Sequence, residues 1–194
     1  SYAERVVEAT LESLRIGEEG GVGVHISHFN GRADVLLPLI DEGRRRGVDV
    51  TYDTYCYLAS CTLLAMSALP QWAQAGGPWE TEQRLRQPEI RAQLRPWLDA
   101  PERRLAHLQL SYVPGHPEEE GLLIPDAAAL AGLTPADYVC ERLADTHVSV
   151  CALGYHAGLR TEADMVAIMQ HPAHMAGSDG IFSGSRPHPR GYGC

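Results

Sequence analysis

The groups in this chain that could do chemistry are imidazoles, carboxylates, phenols and guanidinium groups placed just after short apolar runs. His28 follows one run, Tyr55 and Tyr57 a second, Tyr155 and His156 a third, and Asp179 a fourth, ahead of a loop with His188 and Arg190. In parallel α/β folds reactive groups collect where strands end and the next loops begin, and that rule selects these residues. Two imidazoles and a carboxylate converging on one such rim suit a catalytic divalent metal. His25 and His28 are three apart, which on a helix would put them on one face. In a strand, with its period of two, they point to opposite sides. His28, which ends the run, is therefore the candidate ligand, and His25 is read as packed against flanking helices. His147 and His171 read as loop and helix-end residues, and His107 and His116 have no ligand-type partner at useful spacing. The acidic run Glu118-Glu119-Glu120 reads as a solvated turn.

The elements that must position these groups alternate helix and strand. Residues 3–16 carry Val6, Val7, Thr10, Leu11 and Leu14 at helical spacing and stop at Gly20-Gly21. Residues 22–27 read as a strand. A helix is predicted from about Asp34 to Arg46, with Pro38 near its first turn and Gly47 after it. Residues 48–54 read as a strand again. Turns this short imply βαβ units and a parallel sheet. A second such segment is predicted near the end of the chain: strand 148–153, helix 162–170, strand 174–177. Between them the pattern is irregular, with a Pro/Gly/Trp-rich stretch, polar helices around 79–100, an apolar run at 105–113 and helical stretches near 125–144. The expected organisation is barrel or sheet units over 1–62, an insertion or lid over 63–133, and the last such units over 134–194.

Composition narrows the chemistry. The 194 residues are 44% hydrophobic and 21% charged, with a net charge of −9, which argues against general nucleic-acid binding. No apolar run approaches the roughly 20 residues that cross a bilayer. All 16 basic residues are Arg. Lysine Schiff-base chemistry, P-loop phosphate binding and a carbamylated-lysine metal bridge are thereby excluded within the chain. Five unpatterned Cys suggest a reduced, cytoplasmic setting, with Cys140 and Cys151 in the core. The chain begins at Ser1 without Met and ends in a Gly/Pro-rich stretch, so it reads as a piece of something longer.

Taken together, four motifs resemble the N-acyl-D-amino-acid deacylases (D-aminoacylases) of the amidohydrolase superfamily. Val24-His25-Ile26-Ser27-His28 is similar to that family's ISH strand. The run from Asp53 to Thr62 resembles its D-x-Y-P-Y-x-A-G-S-T. Residues 169–180 match M-x-H-P-x-x-M-x-G-S-D-G, and residues 187–193 resemble P-H-P-R-x-x-G. The resemblance implies a metal-dependent (β/α)8 barrel, zinc (one or two ions) and hydrolysis of small N-acyl-D-amino acids. It implies His28 as a metal ligand and Asp179 as the carboxylate that takes the proton of the attacking water, at the metal, and passes it to the leaving amine. Arg190 and Tyr55 would hold the substrate carboxylate, assisted by Cys61, with Asn30 and His188 beside them.

Departures from the pattern bear on specificity. Asn30 stands where the family has a cationic Lys, Cys56 where it has Pro, and Cys61 where it has Ser. The family's H-x-H, its bridging Cys and its T-H-x-R strand have no counterpart here. A complete barrel takes about 250 residues. The expectation is therefore a partial (β/α)8 barrel, α/β in class with a mixed, mainly helical insertion, that needs the remainder of its polypeptide and is inactive and weakly metal-binding alone. Two other readings stay open: a cyclic-amide amidohydrolase of the hydantoinase or dihydroorotase kind, and a non-catalytic ligand-binding domain on the same scaffold. Arg190 beside His188 favours an open-chain carboxylate over a cyclic amide.

Overall fold

The computed structural model describes residues 2–155, 160–180, 182–184 and 191. In chain order the elements are α1 (Tyr2–Gly20), β1 (Val24–Ile26), α2 (Ala33–Arg45), β2 (Val50–Thr54), β3 (Ala59–Leu63), α3 (Leu64–Ala68), α4 (Gln71–Gln74) and α5 (Pro78–Leu85). There follow α6 (Pro88–Leu98), β4 (Leu108–Tyr112), α7 (Ile124–Leu130), α8 (Pro135–Asp145), β5 (Cys151–Tyr155), α9 (Glu162–Gln170) and β6 (His174–Ala176). They form two compact units. Of the described residues, the first comprises 2–58 and 160–180, and the second 59–155 with 182–184 and 191.

The first unit is the expected parallel sheet. Its strands run in the order β1-β2-β6, with Tyr52 opposite both Ile26 and His174. Side chains alternate along β2: Val50, Tyr52 and Thr54 are buried, whereas Thr51 and Asp53 are only half-buried. The buried face packs on Leu14 of α1, Leu36 and Ile40 of α2, and Ile168 of α9. The Tyr52 ring stacks on Phe29 and its hydroxyl donates to the Ile168 carbonyl at 2.8 Å, which anchors α9 to the sheet centre. Helix α1 buries Thr10 and Leu14 and ends where Gly21 adopts φ +61°, a conformation that costs glycine little. Pro38 lies in the second turn of α2, not the first as its residue type suggested, because the helix starts at Ala33.

The second unit is antiparallel, with strand order β3-β5-β4 and helices α3–α8 against it. This revises two expectations. The run at 148–153 does not continue the parallel sheet: the strand is Cys151–Tyr155, paired antiparallel to β3 and β4. A short apolar run carries no information on strand direction, so the pattern could not place it. The second unit accordingly reaches beyond 63–133, taking in β3, α8 and β5, and among the described residues of 134–194 α9 and β6 belong with the parallel sheet.

The acidic run is also only partly solvated: Glu118 is exposed, but its two neighbours are buried. Glu119 is 2% exposed and accepts from Arg142 at 2.6–3.1 Å and from the Tyr138 hydroxyl at 2.6 Å. Glu120 accepts from the Val113 backbone N–H. Two of three consecutive carboxylates thus turn inward to meet buried donors. No described helix is long and apolar enough to cross a membrane.

Candidate active site

The face of the parallel sheet away from its helices is polar, and one carboxylate organises it. Asp53 Oδ1 accepts the backbone N–H of His28 at 3.0 Å. Its Oδ2 accepts the Ser27 hydroxyl and His25 Nε2, both at 3.0 Å. With Nε2 donating to the carboxylate, His25 Nδ1 is left to accept the Thr51 hydroxyl at 2.8 Å. His25 is therefore not packed against helices. It is exposed on the polar face, in register with Thr51 one strand over. Partial burial works against the Asp53 charge, but the hydrogen bonds from His28, His25 and Ser27 outweigh it and hold the carboxyl below its usual range.

That network fixes the turn that follows β1, Ser27-His28. His28 has φ +58° and Asp179, after β6, has φ +47°. Left-handed backbone costs an L-residue about 1–2 kcal/mol. Such strain persists where surrounding contacts over-determine it, and it concentrates at functional sites. The left-handed turn also ends the strand alternation after Ile26, so the period-two rule that separated His25 from His28 does not reach His28. Both imidazoles border the same Ser27–Asp53 network.

His28 Nε2 and Asp179 Oδ2 lie 3.4 Å apart. Two ligand atoms about 2.05 Å from one tetrahedral zinc are separated by about 3.4 Å. One imidazole nitrogen and one carboxylate oxygen at this spacing fit two corners of such a site. A three-ligand group among the described residues occurs elsewhere, in the second unit, where His116, Glu118 and Glu119 approach one another, contrary to the expectation for His116. There Glu119 is already engaged by Arg142 and Tyr138.

Around the pair, the Tyr55 ring meets the His28 ring edge-on at 6.1 Å and lies near Tyr57 at 6.2 Å. Asn30 Oδ1 accepts from the buried Thr54 hydroxyl at 2.7 Å and from Arg160 Nη1 at 2.6 Å. Cys61 belongs to the second unit, buried on β3 with its thiol 3.6 Å from the Ser111 hydroxyl. His188, Arg190 and His156 lie outside the described residues, as does the Tyr155 side chain. Of the candidates named from sequence, the structure brings together His28, Asp179 and Tyr55, with Asn30 on the same loop as His28.

Sequence reasoning passed over Asp53 and Arg160. Asp53 could have been found as a charged residue two positions from Thr51, on the face of a parallel strand opposite its apolar residues. Arg160 directly precedes Thr161-x-x-Asp164, a helix-start signature realised as a reciprocal capping box.

No family model matches the chain. It is 26% identical to an N-acyl-D-glutamate deacylase and 27% identical to a D-aminoacylase, both of Alcaligenes xylosoxydans xylosoxydans, over 96% and 98% of its own length. A solved N-acyl-D-glutamate deacylase from Bordetella bronchiseptica superposes on 94% of the chain with a TM-score of 0.63 and 27% identity. Sequence and structure agree on the same kind of protein. Its homologues are N-acyl-D-glutamate deacylase and D-aminoacylase. The chain spans about a third of the length of these deacylases, 32% of each curated relative. The Bordetella deacylase structure is a complex with zinc and a phosphonate inhibitor that mimics the tetrahedral intermediate.

Proposed function

We propose that this chain forms part of a metal-dependent deacylase that hydrolyses the amide of N-acyl-D-amino acids to a carboxylate and a D-amino acid. The observation that carries the reading is the 3.4 Å approach of His28 and Asp179 at the ends of two parallel strands, in a chain whose homologues are deacylases. The parallel strands are read as three consecutive strands of a (β/α)8 barrel. A cavity of about 390 Å³ supports this: it opens between α1 and β1, at the sheet edge, and is lined by Val6, Thr10, Ile26 and His28. The outer edge of β1 is unpaired in the described sheet, which leaves room for a neighbouring strand.

His28 and Asp179 would hold a divalent zinc with further ligands from the remainder of the polypeptide, since catalytic zinc normally takes three protein ligands. Such a metal supplies Lewis acidity and lowers the pKa of water to about 7. Asp179 takes the proton of the attacking water as its oxygen bonds to the acyl carbon, then delivers that proton to the nitrogen as the C–N bond breaks. Arg190 and Tyr55 would hold the substrate carboxylate, with Asn30 and His188 beside them.

The test is hydrolysis of N-acetyl-D-methionine, its L-isomer and a hydantoin by the longest natural polypeptide carrying this sequence. Turnover of the D-isomer alone, reduced about 10²–10⁴-fold in kcat by Asp179→Asn, is the expected result. Preferred turnover of the hydantoin, or an unchanged Asp179→Asn enzyme, would overturn the assignment.

A further inference from the structure

Arg160 is half-buried in the first unit and touches two loops at once. Its Nη1 donates to Asn30 Oδ1 at 2.6 Å, on the loop after β1, and to the Thr54 hydroxyl at 3.2 Å, at the end of β2. Its Nη2 donates to the backbone carbonyls of Tyr55 and Tyr57, on the loop after β2. The guanidinium carbon lies 5.1 Å from the Tyr55 ring centroid, within cation–π range. One planar fork thus engages the Asn30 side chain, the Thr54 hydroxyl, the Tyr55 ring and two carbonyls of the 55–57 loop.

Hydrogen bonds fix the start of α9, whose cap directly follows Arg160. Thr161 caps α9, and Asp164 Oδ2 accepts both the Thr161 N–H and its hydroxyl. The other oxygen of Asp164 accepts the Ala33 N–H at 2.9 Å, tying the start of α9 to the start of α2. Arg160 leaves from this doubly pinned point. A lysine there would keep the charge but could not serve four acceptors in one plane.

We propose that Arg160 is a positioning residue for the substrate: it locks Tyr55 and Asn30 in the arrangement that receives the N-acyl amino acid, without touching the metal pair. The inference rests on the deacylase reading, and its loop-locking part can be checked separately from it. The experiment compares Arg160→Met, Arg160→Lys and Asn30→Ala with the parent enzyme in steady-state kinetics, zinc content and amide hydrogen exchange. Both Arg160 variants should raise KM for the N-acetyl-D-amino acid about tenfold or more, the order that losing a charge-assisted hydrogen-bond network supplies. Their kcat should stay within about threefold and zinc content should not change, because binding is lost and not the chemical step. Asn30→Ala, which removes one leg of the lock, should show a smaller rise in KM. Exchange over 28–31 and 54–58 should quicken about tenfold in Arg160→Met while α9 stays protected.

An unchanged KM in Arg160→Met, or an Arg160→Lys enzyme equal to the parent, overturns the positioning role. Should Arg160→Met fail to fold, an unchanged KM in Asn30→Ala overturns it as well. If the parent hydrolyses no N-acyl-D-amino acid, the deacylase reading fails and the substrate role goes with it. The loop lock itself is then decided by exchange alone, and unaltered exchange in Arg160→Met refutes it.

Discussion

Removing the Asp53 carboxylate should loosen the first unit and weaken metal binding together. Asp53→Ala leaves three donors without their acceptor: the His28 N–H, the Ser27 hydroxyl and His25 Nε2, each now at 3.0 Å from a carboxylate oxygen. Hydrogen bonds to charged groups contribute about 1.5–3 kcal/mol each. The Asp53 side chain is 25% exposed, so water replaces part of what is lost. About 1 kcal/mol per bond is a fair discount, or about 3 kcal/mol in total. His28 also loses the contact that holds it in its left-handed conformation, and relaxation there would give back about 1 kcal/mol of that loss. Loss of a group that orients a metal ligand typically costs 10–100-fold in affinity. Denaturant unfolding and zinc competition with a chromophoric chelator read the two effects. Asp53→Asn, which keeps one acceptor oxygen, should recover part of each. Unchanged stability and zinc affinity in Asp53→Ala would refute the claim that this network builds the site.

The second unit offers separate tests. Glu119→Gln removes the nearer ion partner of the Arg142 guanidinium, 11% exposed, leaving only Asp145 at 3.9 Å among the described residues. Breaking a buried pair from one side costs about 3–5 kcal/mol, so a fall in the unfolding temperature of the second unit by ten degrees or more is expected by calorimetry. The same pair sets a pH dependence. Burial of Glu119 opposes its charge, but Arg142 and Tyr138 overcome this and lower its pKa. A lowered folded pKa adds stability above the unfolded value of about 4.3, and that stability is lost as pH falls through the folded value. Acid titration of unfolding should therefore show a slope below about pH 4.3 that is missing in Glu119→Gln.

Much of the first unit was legible because its helices and strands announce themselves: a stripe from Val6 to Leu14, a glycine stop, and β2 alternating buried with polar residues. Placing His28 and Asp179 at strand ends followed from the same reading. Three things were not legible. Strand direction at 151–155 depends on which partners are nearby, and an apolar run does not record them. The inward turn of Glu119 depends on Arg142 and Tyr138, some twenty residues on, which meet it only once α8 packs. The reach of Arg160 to Asn30 crosses 130 positions of chain, and no local pattern signals it. His25 was misjudged for a related reason: alternation sorts residues into two faces but does not say which face the helices cover.

The most direct test of the central claim is anomalous diffraction at the zinc edge from crystals of the protein soaked in zinc. The account predicts a peak about 2.0–2.2 Å from both His28 Nε2 and Asp179 Oδ2. A peak at His116 and Glu118 with nothing between His28 and Asp179 would contradict it.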